Sequence, residues 1–368
     1  MKVCLLIHRE MDYGATGIIL GAYDSVGMDN IVEFPYARHL HGGVDNDYVL
    51  PDGKMGYTGP PAYMIRPLPP NERSEEEFLD TIKDMDWIVA TSCRSQAIAA
   101  LDLIVARLGK LPENLILCDG EDTPMIREDL IERFKPITYL KRELYTERPF
   151  SSWRCSYPPT EIWPLPFAAY SSQWPEDIDD SEEGKQYDLF LSLGITHGSR
   201  NILLHSFIDT ANRLGLKFYV ATNQDALSRR SDGRLASYFK DMLSWPEYMR
   251  MQAQSRIGGS IRGFGRDALH AWELASFRTC MIYIKPRIYM PYPFIDGIHC
   301  VKDDEACETI PHLIERLIQE PGLRWQIATN SCEHLRRYHT AARRFQYAID
   351  VATRIRDGKE LVSEIYGF

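Results

Sequence analysis

The chain alternates short apolar runs with stretches of helical spacing, and it does so in both halves. In the first half VCLLI (3–7), WIVAT (87–91) and NLILC (114–118) are brief and dominated by apolar residues, as strands buried on both faces of a parallel sheet are. Between the last two, AIAALDLIVARLG (97–109) has apolar residues at helical spacing and ends in a glycine suited to a C-cap. Strand, helix, strand in that order predicts a βαβ unit. The second half restarts the pattern. YDLFLSLG (187–194) reads as a strand, 200–214 as a helix ending near Gly215, and KFYVAT (217–222) as a strand. WPEYMRMQAQSRIGGSI (245–261) reads as a helix and then a short strand, RDALHAWELASF (266–277) as an amphipathic helix, and TCMIYI (279–284) as a strand. A chain of 368 residues exceeds one ordinary core. Two α/β domains of Rossmann-like type are expected, with ligands at the carboxyl ends of the strands.

The connection between the halves differs in composition. Residues 149–185 contain PFSSWRCSYPPTEIWPLP, and 171–190 carry seven Asp or Glu against one Lys. Such a stretch is not expected to form a core element, and the domain boundary is placed there. Residues 35–75, with His39, His41 and many Gly and Pro, read as a long surface loop, either a lid or acceptor-binding segment or a plain insertion.

Charge and cysteine usage narrow the function classes. The net charge of −10 disfavours nucleic acid and anionic membranes as partners. Residues 324–344 are a local exception, with five Arg, two His and one Glu; they read as a solvated helix face or as arginines that meet phosphate. None of the eight cysteines forms a C-x-x-C pair, which gives a zinc or redox site no support. Cys4 and Cys118 lie in apolar runs, as small buried hydrophobes do, and a reducing, cytoplasmic compartment is expected. No run approaches the roughly 18–20 apolar residues of a membrane helix. MKVCLLIHREMD reads as a first buried strand rather than a signal peptide.

Candidate site residues fall at strand ends. In LSLGITHGSRNILL (191–204) a strand runs through a glycine turn into a helix. A helix N-terminus suits a phosphate, Arg200 can add a bidentate contact, and His197 lies in the turn. The alternative is an ordinary turn capped by Ser199. In SIRGFGRDALHAWELASF (260–277), Gly263 and Gly265 allow close backbone approach, and Arg262 and Arg266 flank them. Arg266, His270 and Glu273 are spaced to share one helix face; the alternative is a surface face with an Arg–Glu pair. In LCDGEDTPMI (117–126), Asp119, Glu121 and Asp122 follow a strand. Asp119 or Glu121 can serve as general base, or the group can be a helix cap opened by Thr123-Pro124. His8 ends the first strand and is a second base candidate, or a local hydrogen-bonding residue. His39 and His41 are weaker candidates.

The segment SRIGGSIRGFGRDALHAWELASFRTCMIYIKPRIYMPYPFIDGIHCV, which holds several of these residues, resembles the C-terminal domain of GT-B glycosyltransferases. It most resembles the spore-maturation CgeB-like branch of the group 1 superfamily. Gly263, Gly265, Asp267, Trp272, Glu273 and PFIDGIHCV (293–301) carry the likeness, and exostosin-type transferases share a similar turn and Glu. IATNSCEHLRRYHTAARR (327–344), with His339 and Arg343, also resembles the CgeB-like tail. The resemblance covers roughly residues 187–350 and implies a GT-B fold, two facing Rossmann-like domains with an interdomain cleft. The implied domains are an acceptor domain over 1–165, a linker over 166–186 and a nucleotide-sugar domain over 187–345. A C-terminal helix (346–368) returns to the first domain. Glu273 would bind the ribose; Gly263–Gly265, Arg200 and Arg262 would hold the diphosphate, with His197, Arg266 and Asp267 nearby.

The implied reaction is transfer of a sugar from a nucleoside diphosphate sugar, UDP-sugar first, to a hydroxyl acceptor. Nothing resembles an Asp-x-Asp metal motif, so neither a metal nor another cofactor is expected. The acceptor can be a glycan, a protein, a metabolite or, with less support, a modified DNA base. Gly265 stands where many group 1 retaining enzymes have a second Glu, and Ser276-Phe277-Arg278-Thr279 replaces their small-Gly motif; retention or inversion stays open. An epimerase-like enzyme or a catalytically silent binding protein are the alternative readings.

Overall fold

The computed structural model describes residues 1–10, 12–42, 66–194, 196–222, 237–238, 243–361 and 363–368. The chain divides into two compact units. Unit 1 comprises Met1–Gln173, Ile288–Tyr292 and Thr340–Phe368; unit 2 comprises Trp174–Arg287 and Pro293–His339.

The described part of unit 1 holds a sheet of strands β1 (Val3–Leu6), β2 (Ile31–Phe34), β3 (Trp87–Ala90), β4 (Leu115–Asp119), β5 (Thr138–Lys141) and β6 (Glu161–Pro164). Their order is β2-β1-β3-β4-β5-β6, and every pair is parallel. Helices α1 (Tyr13–Val26), α2 (Glu75–Thr81), α3 (Ser95–Leu108), α4 (Glu128–Phe134) and α5 (Phe150–Arg154) join them. Asp12 caps α1 by accepting the Ala15 N–H at 3.0 Å, Ser74 and Glu77 form a capping box on α2, and Gly109 ends α3 in the left-handed conformation.

Unit 2 repeats the plan with β7 (Tyr187–Leu193), β8 (Phe218–Thr222), β9 (Ser255–Ser260), β10 (Cys280–Ile284) and β11 (Val301–Asp303), in the order β11-β10-β9-β7-β8 and again all parallel. Around it lie α6 (Gly198–Leu214), α7 (Trp245–Ala253), α8 (Leu269–Ser276), α9 (Ile310–Gln319) and α10 (Pro321–Tyr338). The last helix, α11 (Ala341–Arg356), belongs to unit 1 and packs on α1.

Two expectations need correction. Composition predicts that the connection over 149–185 stays outside the core, yet it supplies β6, in which Ile162 and Trp163 are fully buried. Pro164 is tolerated because β6 is the edge strand. The acidic stretch is not a free linker either. Asp177 pairs with Arg250 (2.9 Å), Asp180 with Arg278 (2.6 Å) and Arg336 (3.8 Å), and Glu182 with Arg324 (2.5 Å). Two guanidiniums of the Arg-rich segment thus meet carboxylates of their own unit. Lys185 donates to the carbonyls of Ala253 (2.7 Å) and Phe277 (2.9 Å), at the ends of α7 and α8, and burial lowers its pKa to about 8. Most of the long loop expected over 35–75, residues 43–65, lies outside the described residues. At its edges Leu68 N–H bonds the Leu40 carbonyl at 2.8 Å.

The tightest helix contact is α1 on α11. A Cβ at Gly21 would overlap the Ala341 carbonyl and stand 2.8 Å from Cβ of Phe345. Backbone atoms on the far side cannot give way. Gly21→Ala gains up to about 1 kcal/mol of helix propensity but forces the helices apart, at a typical cost of about 1–3 kcal/mol. A net stability loss of about 1–2 kcal/mol in urea denaturation is expected; a stabilised variant would show that α11 is not held this close.

Candidate functional site

Both sheets place their second strand outside the first and continue on the other side. The strand order reverses between β1 and β3 in unit 1 and between β7 and β9 in unit 2. Loops leaving such a pair diverge to opposite faces and open a crevice at the carboxyl edge, the usual ligand site of doubly wound sheets. The sequence candidates fall at these two points.

In unit 2 the loop after β7 leads into α6. His197, not Ser199, is the N-cap: its Nδ1 accepts the Ser199 N–H at 3.3 Å and lies 2.7 Å from the Ser199 hydroxyl. One turn in, Arg200 is only 8% exposed. Its guanidinium donates to the carbonyls of Arg262 (2.8 Å) and Gly194 (2.5 Å). No carboxylate pairs with it among the described residues, and burial pulls its pKa down to about 10. A buried guanidinium held only by carbonyls leaves a positive charge uncompensated. Gly263 is required by this packing, since a Cβ there would stand 2.8 Å from the Arg200 guanidinium. Thr196 Oγ1 and Arg262 Nε are buried beside it without a hydrogen-bond partner among the described residues. Arg262 reaches Phe264 O (3.2 Å) and Glu305 (3.7 Å). Gly265 is buried, and the Phe264 ring between the two glycines is exposed.

Three candidates sit differently from expectation. Helix α8 begins at Leu269, so Arg266 lies outside it and does not share a face with His270 and Glu273; it donates to Arg287 O at 3.2 Å. Asp267 is buried and accepts the Trp272 indole N–H at 3.2 Å, which directs it into the core of unit 2. His270 bonds Ser192 O at 2.9 Å, and burial, helped by the Arg200 charge, lowers its pKa to about 3, so it is neutral. One turn further on α8, Glu273 is buried against α7. It accepts from Tyr248 Oη at 2.7 Å and from Gln252 Nε2 at 3.5 Å. Burial outweighs those bonds and raises its pKa to about 7. Thus α8 carries a neutral imidazole beside the anion-seeking Arg200 and, one turn on, a carboxyl able to accept hydroxyl donors.

In unit 1 the switch point gathers residues from three adjacent strands. Arg94, after β3, is the hub: it lies 3.0 Å from Glu121, 3.6 Å from Glu10 and 3.8 Å from Asp12. Glycines 14 and 120 let the two loops close on the Asp12 carboxylate, since a Cβ on either would stand 3.3 Å from its Oδ1. His8 is 7% exposed, and its Nδ1 accepts the Glu10 N–H at 3.1 Å. Burial first, partly offset by Glu10, lowers its pKa. The contact between Nδ1 and the Glu10 N–H is the local hydrogen bond that stands as the alternative to a base role for His8. Asp119 is a structural anchor. Fully buried, it pairs with Lys141 at 2.9 Å, accepts the Tyr139 hydroxyl, and takes the Glu121 N–H at 3.0 Å. Asp122 pairs with Arg142, and α4 starts at Glu128, so Thr123-Pro124 opens no helix. Glu121 is half-exposed, with Oε1 on Arg94 Nε.

His41 is an imidazolium bridge. Its Nε2 meets the buried Glu33 at 2.6 Å and its Nδ1 meets Pro69 O at 2.6 Å. Burial opposes its charge, but Glu33 and the carbonyls outweigh that and raise its pKa. Buried His39 stands in the same short 3-10 turn. Sequence reasoning missed Arg94, Glu10, Asp12, Thr196, Tyr248 and Gln252. Arg94 carried a signal, standing between the strand WIVA and a helix; Tyr248 and Gln252 carried none. Among the described residues no three His, Cys, Asp or Glu side chains are grouped to hold a metal, and no helix is long and apolar enough to cross a membrane.

A carboxyl held near neutrality by burial makes stability pH-dependent. The folded-state pKa of Glu273, about 7, lies above the ordinary 4.5. Its contribution is therefore full below about pH 4.5 and is lost as pH rises through about 7. Glu273→Gln keeps an acceptor for Tyr248 and removes the titration. Between pH 5 and 8 the wild type should lose up to about 3 kcal/mol more than the variant in urea denaturation; parallel curves would show that Glu273 is ionised throughout.

No protein-family model matches the chain, and no curated protein matches it. Solved structures do. An alpha-glucosyltransferase in complex with UDP and a 13-mer DNA containing an HMU base superposes with a TM-score of 0.59 at 11% identity, covering 96% of this chain and 99% of that one. A glycosyltransferase from Rickettsia africae gives a TM-score of 0.62 at 10% identity, covering 97% and 99%. HepE from Anabaena, in complex with UDP-glucose, gives 0.56 at 12%, covering 96% and 99%. With its two all-parallel sheets, the chain has the GT-B fold.

Proposed function

We propose that this chain is a glycosyltransferase that moves a sugar from a nucleoside diphosphate sugar to a hydroxyl acceptor. The observation that carries the reading is Arg200, buried at the N-terminus of a long helix, at a switch point, with carbonyls but no carboxylate beside it among the described residues. A diphosphate supplies the missing counter-charge, and the positive end of the α6 dipole favours it there. As the glycosidic bond breaks, charge grows on the diphosphate; fixed donors stabilise that change without a metal. Glu273, with Tyr248 and Gln252, is assigned to the ribose hydroxyls. His197, Arg262 and Thr196 line the diphosphate side, and Arg266 and Asp267 support the turn. UDP is the first choice of nucleotide, a reading supported by the UDP and UDP-glucose complexes of the similar structures.

The donor domain is taken as 187–345 and the acceptor domain as 1–165, joined by 166–186, with 346–368 returning to the first domain. Within the GT-B fold, the motifs from Gly263 to Glu273 and PFIDGIHCV support the CgeB-like branch.

Thermal denaturation with UDP, GDP and ADP tests the donor site. At 100 times its dissociation constant a ligand stabilises by about 2.7 kcal/mol. UDP should do so, and Arg200→Gln should weaken UDP about ten- to a hundredfold, the range of a lost charged hydrogen bond. A UDP response unaltered in a folded Arg200→Gln would move the diphosphate elsewhere. Transfer should persist in excess chelator; loss that manganese restores would overturn the metal-free reading.

A further inference from the structure

We propose that the buried pair His41 and Glu33 is a proton-operated clasp: it fastens the segment Leu68–Pro69 beside the end of β2 while it carries its proton, and releases that segment as the proton leaves. The clasp lies within unit 1 and is independent of the glycosyl-transfer reading.

Geometry sets the proton count. His41 Nε2 lies 2.6 Å from Glu33 Oε1, and its Nδ1 lies 2.6 Å from Pro69 O and 3.2 Å from Leu68 O. A carboxylate and a carbonyl only accept, so each ring nitrogen needs a hydrogen between itself and its partner. A neutral imidazole has one hydrogen to serve both sides. The pair therefore holds one proton more than a neutral ring beside a carboxylate. Without it, lone pairs face each other across 2.6 Å on one side of the ring. The side chains of His41 and Glu33 are 1% and 0% exposed, so water does not replace the lost bond.

The surroundings favour the charged ring. From α1, the Tyr23 hydroxyl donates to Glu33 Oε2 at 3.0 Å, which leaves Oε1 to the imidazolium. After β2, the Tyr36 ring stacks on the imidazole with centroids 4.5 Å apart, an aromatic face that attracts a cation. In the turn that carries His41, His39 is buried, and Arg38 pairs in solvent with Glu72 at 3.7 Å. Burial opposes the imidazolium, but Glu33 and the two carbonyls outweigh it and hold the pKa above the ordinary 6.5. Residues 68–71 are also tied by Leu68 N–H on Leu40 O (2.8 Å) and Asn71 Nδ2 on Ile31 O (3.0 Å). Those bonds do not titrate; the His41 bonds do.

The direction follows. Released, the ring titrates near the ordinary 6.5; fastened, it titrates higher. Opening sheds a proton between those two values. The clasp thus contributes fully below about pH 6.5 and is lost as pH rises through the fastened value.

Hydrogen exchange of the full chain tests this, read as protection of the Leu68 amide relative to its intrinsic rate from about pH 5.5 to 8.5. Wild-type protection should be level to about pH 6.5 and then fall about tenfold per pH unit toward the fastened value. Glu33→Gln offers an amide N–H to Nε2 and leaves the one hydrogen of a neutral ring for Pro69 O. Its bonds need no extra proton, so its protection should stay level. Level protection in the wild type, or an equal slope in Glu33→Gln, would overturn the proposal. A second measurement needs no variant: nitrogen-15 NMR of the histidine rings at pH 6.5, where an ordinary histidine is half protonated. His41 should carry hydrogen on both nitrogens in most molecules there; a ring at most half protonated would also overturn the clasp.

Discussion

Every strand pairing in both sheets is parallel, and the placement of both candidate sites depends on that. Parallel neighbours need crossovers, so all strands deliver their carboxyl ends, and the helices after them their N-termini, to one edge of the sheet. With the order reversing between the first and third strands of each unit, that edge gains one crevice per sheet. Arg200 and the Gly263 turn meet at one switch point, and His8, Arg94 and Glu121 at the other. Residues far apart in sequence become neighbours because β1 lies between β2 and β3, and β7 between β8 and β9.

Buried charge is treated in two opposite ways. In unit 1, Asp119 is matched by Lys141 and Tyr139, and Glu33 by His41 and Tyr23. Each of these two buried carboxylates has a cation and a hydroxyl donor, the arrangement that lets a charge stay inside. In unit 2, Arg200 has only carbonyls and Glu273 only a hydroxyl and an amide among the described residues. Their pKa values move toward the neutral form, to about 10 and about 7. Matched charges build the scaffold of unit 1; the two mismatched groups in unit 2 are those proposed above to meet the diphosphate and the ribose.

Glycine sets how closely these parts approach. On β9, a Cβ at Gly258 would stand 3.1 Å from Leu274 Cδ1 of α8, and one at Gly259 would stand 2.9 Å from Phe207 Cζ of α6. The two neighbours therefore let α8 and α6 press on opposite faces of the same strand. The helices that carry Glu273 and Arg200 are thus referenced to one backbone segment, whose next residues form the Gly263 turn. Such close packing transmits small volume changes directly to the site.

By itself, the sequence determined the fold class and the location of the motifs. Uninterrupted apolar strands such as VCLL and CMIYI were legible because burial on both faces leaves an unbroken run of hydrophobic residues, and the turn from Gly263 to Glu273 was legible from its glycines and its family likeness. Strands β2 (IVEF), β5 (TYLK) and β6 (EIWP) were not, since Glu33, Lys141 and Pro164 interrupt that run. Their burial is permitted only by partners supplied from elsewhere in the chain or by a place at the sheet edge. The same holds for the site. Residue type and spacing nominated Asp119 and Arg266, and the family resemblance nominated Asp267, but only tertiary structure decided that Asp119 and Asp267 face inward to Lys141 and Trp272 and that α8 starts after Arg266. It also gathered Glu10, Asp12 and Glu121 around Arg94. Local sequence encodes propensity and pattern, whereas the environment of a charge is set by what the fold brings within a few ångströms of it.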